Sequence, residues 1–261
     1  MRLEGLDRLK QATRWMWSLG DYSQVSPFLE ACAQELADAC DIAPGMAVLD
    51  VAAGDGNFAL AAAARGAKVT ATDYTPKMLE LGRARSESAR VAIEWVDADA
   101  EDLRSDADSY DVVASVFGAM FAPRPDVVAR ELFRVCRAGG TVAMANYGWQ
   151  GFLGDYARLL ANYSAPAPFE LPSPFDWGEV EVAKRRLGPL AGNLELRPQV
   201  LTMEFDSGDA ALKFWESNNP PTIALRATLS PERYAELRRE ALRLIGDGIL
   251  TSSYLIVIAR K

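Results

Sequence analysis

Apolar and polar positions alternate along this chain in two rhythms. Residues 3–20 repeat apolar side chains at helical spacing, with Leu6, Leu9, Ala12, Trp15 and Met16 on one side and Gly20 as the stop. Residues 24–40 predict a second helix, with Pro27 near its start. From residue 46 to 147 short apolar runs alternate with amphipathic stretches. Strands are predicted over 46–52, 67–73, 91–98, 110–117 and 140–147. Helices are predicted over 57–65, over 75–89 with Thr75 as N-cap, and over 125–137, closed by Gly139 and Gly140. Such alternation with short connections implies a doubly wound, mainly parallel α/β sheet.

After Tyr147 the rhythm loosens. A helix is predicted over 149–163, followed by a proline-rich stretch (164–178) that suggests a lid. A strand over 194–206, helices over 210–218 and 230–246, and a last strand over 251–260 complete the pattern, making seven strands. The expected organisation is an N-terminal helical cap (1–43) and an α/β domain (44–261) with a lid-like insertion at about 149–195. The flanks of the α/β core hold 16 of the 24 aromatic residues, which favours a cap over the site.

Composition removes several kinds of chemistry. The 261 residues contain no histidine, so an imidazole base, a Ser-His pair or a histidine-bound metal is excluded. The net charge of −8 argues against a nucleic-acid partner, and the basic run at 184–186 is expected to be a solvated face. No apolar run is long enough for a membrane span, and the first ten residues lack an apolar signal core. Three cysteines without metal spacing, two of them (Cys32 and Cys40) on one apolar helical pattern, suit a reduced, cytoplasmic compartment. Abundant Ala and Arg fit a GC-rich bacterial genome.

The chemistry concentrates after the first strand, in "VLDVAAGDGNFAL" (48–60). Gly54, Gly56 and Ala59 satisfy G-x-G-x-x-G/A, and Asp73 follows Gly54 by 19 positions. This pattern suits a backbone turn against a ligand, with an acid for ribose hydroxyls. Asp50, at the end of the first strand, is expected to point at the ligand, where it would repel a diphosphate and attract an ammonium. Asp99 follows the third strand and is placed to accept from an adenine amine, with the Ala100 N–H at a ring nitrogen. Three acids after three successive strands match amino acid, ribose and base in order. S-adenosylmethionine carries all three groups.

These motifs resemble the class I S-adenosylmethionine-dependent methyltransferases, near the quinone-biosynthesis C-methyltransferases and bacterial natural-product methyltransferases. The resemblance covers roughly residues 44–147, through "VLDVAAGDGN", "TATDYTPKML", "ADAEDL" and "YDVVASVFGAMF". Ala52 stands where the family has its first glycine, and its backbone is expected to stay out of the left-handed region. The resemblance implies cofactor contacts from Tyr22, Asp50, Ala52, Gly54, Asn57, Asp73, Tyr74, Met78, Asp99, Ala100, Val116 and Phe117, with Tyr22 at the cofactor's carboxylate. It implies a small-molecule methyl acceptor near 117–121 and Tyr147 and no metal, and it is compatible with a homo-oligomer. A base, if the acceptor needs one, would come from Tyr22, Asp155, Asp176, Glu216 or a group of the substrate itself. A protein of this fold that does not methylate (a cyclase or regulator) and a nicotinamide oxidoreductase are the alternatives. "NNPPT" (218–222) resembles an amino-methyltransferase motif but lies outside the slot for it.

Overall fold

A computed structural model describes residues 3–165 and 170–261. The apolar runs 48–51, 112–114 and 142–145 are buried along their length, Asp50 included, so both faces of these strands need covering. Helices supply that cover. In chain order the elements are α1 (Leu3–Trp17), α2 (Ser26–Ala39), β1 (Ala47–Val51), α3 (Asn57–Ala64), β2 (Lys68–Asp73), α4 (Pro76–Ala89), β3 (Ile93–Asp97), β4 (Tyr110–Val116), α5 (Pro125–Val135) and β5 (Cys136–Gly151). There follow α6 (Phe152–Tyr163), α7 (Val180–Leu187), β6 (Asn193–Glu204), α8 (Gly208–Asn218), α9 (Pro220–Thr228), α10 (Pro231–Ile245) and β7 (Ile249–Arg260). One seven-stranded sheet runs β3-β2-β1-β4-β5-β7-β6. β1 pairs in parallel with β2 on one side and β4 on the other, and β7 is antiparallel to both β5 and β6.

α5, β5 and α9 depart most from the sequence expectation. α5 stops at Val135, because Cys136 is extended and pairs with Tyr110 in the sheet. Gly139 and Gly140 therefore lie in an irregularity of β5, where the register slips between Tyr110 and Val112. α9 was hidden by its prolines. Pro220 and Pro221 fill the first helical positions, where no N–H is needed, and Asn219 caps the Thr222 N–H, which accounts for "NNPPT" as a helix start.

The cap and lid also take a different shape. α2 buries Leu29, Cys32, Ala33, Leu36 and Ala37 in the same core as the sheet, so it is a covering helix and not a cap. What remains above the sheet is α1 and the turn after it. On α1, Trp15 is 54% exposed, while Leu6 is buried and Trp17 faces inward. The proline-rich segment is anchored at its C-terminal end by Phe175, Trp177 and Leu187, with Trp177 only 1% exposed. Gly178 lies so close to β5 that a Cβ would stand 2.3 Å from the Tyr147 carbonyl oxygen. That end packs into the core as a wall; positions 166–169 of the expected lid lie outside the described residues. In the basic run, Arg186 is drawn onto the Trp177 ring (4.2 Å) instead of facing solvent.

Candidate functional site

The strand order reverses at β1, whose neighbours β2 and β4 lead away in opposite directions. Loops leaving the carboxyl ends of β1 and β4 must diverge there, which opens a crevice. A cleft of about 680 Å³ occupies this place. Ala52 and Gly54 after β1, Asp73 at the end of β2 with Tyr74 and Thr75 beyond it, Asp99 and Ala100 after β3, and Phe117, Gly118, Ala119 and Phe121 after β4 form its floor and sides. Met78 closes it from α4, and Lys10, Trp17 and Tyr22 form the roof.

The turn after β1 is wound tightly. Gly54 and Gly56 have φ of +59° and +93°, and Ala52, contrary to expectation, also enters the left-handed region at +52°. An alanine there costs about 1–2 kcal/mol. Gly118, after β4, approaches this residue so closely that a Cβ on it would lie 2.0 Å from the Ala52 carbonyl oxygen. The two loops flanking the crevice are thus packed backbone to backbone. Phe117 is wound the same way (φ +54°), and its ring stacks on Tyr147 at 3.9 Å and 3°. Gly56 has a second reason to be glycine, since a Cβ would lie 2.6 Å from the Trp95 ring.

Asp73 joins two of these loops. Its Oδ2 accepts from the Gly54 N–H (3.0 Å) and its Oδ1 from the Thr75 N–H (2.8 Å). Each oxygen keeps lone-pair capacity toward the cleft. Burial raises its pKa above the ordinary carboxylate value, while the two N–H donors oppose the shift.

Asp50 is placed differently from the expectation. It is 1% exposed, sits behind the turn and is absent from the cleft wall. Its Oδ2 accepts from the Ala59 N–H at the start of α3 (2.9 Å), and its Oδ1 has no partner among the described residues. Burial pushes its carboxyl up to about 8, with Asp73 and Asp55 adding repulsion and the Ala59 N–H opposing. Between the unfolded value of 3.8 and about 8 the folded chain keeps a proton that the unfolded chain has released, so stability falls as pH rises through this window. Asp50→Asn keeps the acceptor and cannot ionise. The melting temperature of this variant relative to the parent is therefore expected to climb from about pH 5 to about pH 8. A constant difference across that range would show that Asp50 titrates as an ordinary carboxylate.

Asn57 and Val116 are likewise outside the wall. Asn57 donates to the Ser26 carbonyl (2.9 Å) and accepts from Arg85 (2.8 Å), while Asp55 holds Ser26 and pairs with Arg85. The polar side chains of "GDGN" therefore tie the turn to α2 and α4, leaving only its backbone for a ligand. Val116 ends β4, and the wall begins at Phe117.

At the far end, Asp99 reaches the cleft but is already paired. Lys10 of α1 bridges Asp99 and the fully buried Glu101, which also pairs with Arg124. Lys10 was missed in the sequence because it lies off the helix's apolar stripe. Its spacing of seven from Trp17 places both on one helical face, the one toward the cleft. Of the proposed bases, Asp155 pairs with Arg158, Asp176 accepts from the Trp149 indole, and Glu216 is held by Tyr234 and Arg238. None of the three lines the cleft. Tyr22 does, and burial raises its phenol well above its ordinary value, so it is a hydrogen-bond donor at neutral pH. Asp111 is structural, accepting from the Ala47 N–H. Among the described residues no group of His, Cys, Asp and Glu could hold a metal ion, and no helix is long and apolar enough to cross a membrane.

Comparison with known proteins agrees with this geometry. Residues 48–140 match the methyltransferase domain family. An uncharacterised protein of Mycobacterium tuberculosis is 34% identical over 256 residues, covering 95% of this chain and 93% of the relative. A demethylmenaquinone methyltransferase of Clavibacter sepedonicus is 41% identical over 103 residues, 40% of this chain and 42% of that one. A solved structure from Bacillus halodurans, of a candidate methyltransferase, superposes with a TM-score of 0.63 at 21% identity, over 88% of this chain and 98% of that one.

Proposed function

Because this chain belongs to the class I S-adenosylmethionine-dependent methyltransferases, we propose that its crevice between β1 and β4 binds S-adenosylmethionine against a small, largely apolar acceptor. The observation that carries this reading is Asp73. It is a buried carboxylate bridging two loops by backbone bonds, with acceptor capacity left toward the cleft. Asp73 takes the ribose hydroxyls, Asp99 and the Ala100 N–H take the adenine edge, and Tyr74, Met78 and Phe117 flank the base. The backbone at Ala52 and Gly54 lies along the methionine part, with the Tyr22 phenol donating to its carboxylate. Asp50, Asn57 and Val116 support these groups from behind.

When bound, S-adenosylmethionine supplies a methyl group on a sulfonium. The chain's contribution is position and exclusion of water. Trp17 meets Phe121 edge to face at 5.0 Å, and with Tyr22 and Phe117 they make that part of the wall aromatic. Holding two reactants in line is worth up to about 7–11 kcal/mol, enough for catalysis without a covalent intermediate. With Tyr22 protonated and Asp73 and Asp99 turned to the cofactor, no side chain lining the cleft among the described residues is left as a base. The acceptor must therefore be nucleophilic when it arrives: a neutral amine, a thiolate, or an acidic phenol or enol.

Two measurements test this. S-adenosylhomocysteine at about 100 times its dissociation constant is expected to stabilise the protein by about 2.7 kcal/mol, seen as a melting shift of several degrees, with no shift from NAD or NADP. A shift with the nicotinamides alone would replace this reading by an oxidoreductase. Mass spectrometry with methyl-labelled cofactor should then show label on an acceptor. Binding without transfer to any acceptor class would favour a protein of this fold that does not methylate.

A further inference from the structure

Lys77 has surroundings that call for an explanation. It occupies the second position of α4, where the helix dipole disfavours a cation. It is half-buried, and among the described residues it forms no ion pair. Its ammonium instead donates to two backbone carbonyls of another segment, Ser18 (3.1 Å) and Gly20. These are carbonyls of the turn that follows α1. Gly20 is left-handed (φ +71°) and pressed against α8, where a Cβ would stand 2.7 Å from the Asn218 carbonyl oxygen. Two residues on is Tyr22, preceded by Asp21, whose carboxylate caps the short helical turn Tyr22–Gln24. The Tyr22 ring edge lies 3.4 Å from the place a Gly54 Cβ would take.

Apart from the Gly20 contact with α8 and the packing of Tyr22 itself, the segment is held by polar bonds. Between α1 and this short turn no side chain is fully buried, so apolar packing gives it a weak anchor. Lys77 binds it to α4, whose start is fixed by the Asp73 to Thr75 hydrogen bond. Asp73, Lys77 and Tyr22 thus form one mechanical sequence: the ribose-facing acid sets the start of α4, α4 carries the ammonium, and the ammonium holds the turn that carries the phenol. We propose that Lys77 is a positioning residue that keeps Tyr22 over Gly54, and so sets the grip on the amino-acid end of the cofactor. This rests on the reading of Tyr22 as the group at that end.

The test compares Lys77→Met and Lys77→Arg with the parent in two measurements. The first needs no ligand. Amide hydrogen exchange over residues 18–24 of the free protein is expected to quicken at least tenfold in Lys77→Met and to stay near the parent in Lys77→Arg. Unchanged exchange in Lys77→Met would overturn the proposal whatever the ligand data. The second is calorimetry with S-adenosylhomocysteine and with 5′-methylthioadenosine, which has the nucleoside and thioether but no amino acid. Lys77→Met is expected to weaken the first about tenfold and leave the second unchanged. In a Tyr22→Phe background the same change should have little further effect, as two residues acting through one contact are not additive. Equal loss for both ligands, or full additivity with Tyr22→Phe, would overturn the positioning role. Quickened exchange in Lys77→Met, together with a parent that binds neither ligand, would count against the cofactor reading alone and leave the hold on the turn demonstrated.

Discussion

Replacing Asp73 by alanine is expected to weaken S-adenosylhomocysteine and adenosine alike, by about 1–3 kcal/mol, roughly 5- to 150-fold. Two losses combine. The ribose hydroxyls lose their acceptor, and the Gly54 and Thr75 N–H groups lose theirs, so the loops on which the ligand rests are no longer tied together. Because both ligands carry the ribose, both should suffer, unlike the selective effect at Lys77. Asp73→Asn separates the components. Its amide keeps one acceptor and presents an NH₂ to the other backbone donor, so part of the tie and part of the affinity should be lost. Calorimetry on folded Asp73→Ala with unchanged affinity would remove Asp73 from the site.

Gly118→Ala is expected to be the most damaging single methyl near the cleft. Gly118 has φ of −104°, so alanine meets no conformational penalty there. The penalty is steric, from a Cβ placed 2.0 Å from the Ala52 carbonyl oxygen and 2.8 Å from the Ala52 Cβ. Backbone on one side and a strained turn on the other leave little room to yield. Overpacking of this kind costs about 1–3 kcal/mol, and both loops flanking the crevice must shift to relieve it. Loss of stability and loss of cofactor binding are therefore expected together. Gly139→Ala is the control: its φ is +72°, but nothing lies within 4 Å of its Cβ position. That change should cost about 1–2 kcal/mol from the left-handed conformation and leave ligand affinity untouched. Denaturant melts and S-adenosylhomocysteine titrations of the two variants check this. Equal effects on affinity would show that the contact between the loops does not shape the crevice.

The three acids read along the chain illustrate which part of a site local pattern can reveal. Asp73 and Asp99 both face the cleft, as their places after β2 and β3 suggested. Asp50 has an equivalent place after β1 but turns toward the first turn of α3. A strand's period of two says which face a side chain takes, and not whether a ligand or a helix N-terminus lies on that face. The same ambiguity applies to Asn57, whose amide serves Ser26 and Arg85.

The sequence by itself determined the α/β class, the strands and the place of the crevice, because each is carried by local signals. Hydrophobic period distinguishes strand from helix, glycines and acids at strand ends mark the ligand turn, and missing histidine removes whole mechanisms. Tertiary structure alone decided what depends on contacts distant in the chain. Lys10 meets Asp99 across 89 positions, and Lys77 reaches Gly20 across 57. Ala52 takes a positive φ, against its own preference, in close contact with a glycine that arrives 66 residues later. The antiparallel β7, wedged between β5 and β6, is likewise a matter of sheet order. α2 and the Phe175–Trp177 wall, which look like cap and lid along the chain, belong to the core because the sheet's faces had apolar surface left to cover. Burial is settled by where other elements come to lie, and no window of neighbouring residues contains that information.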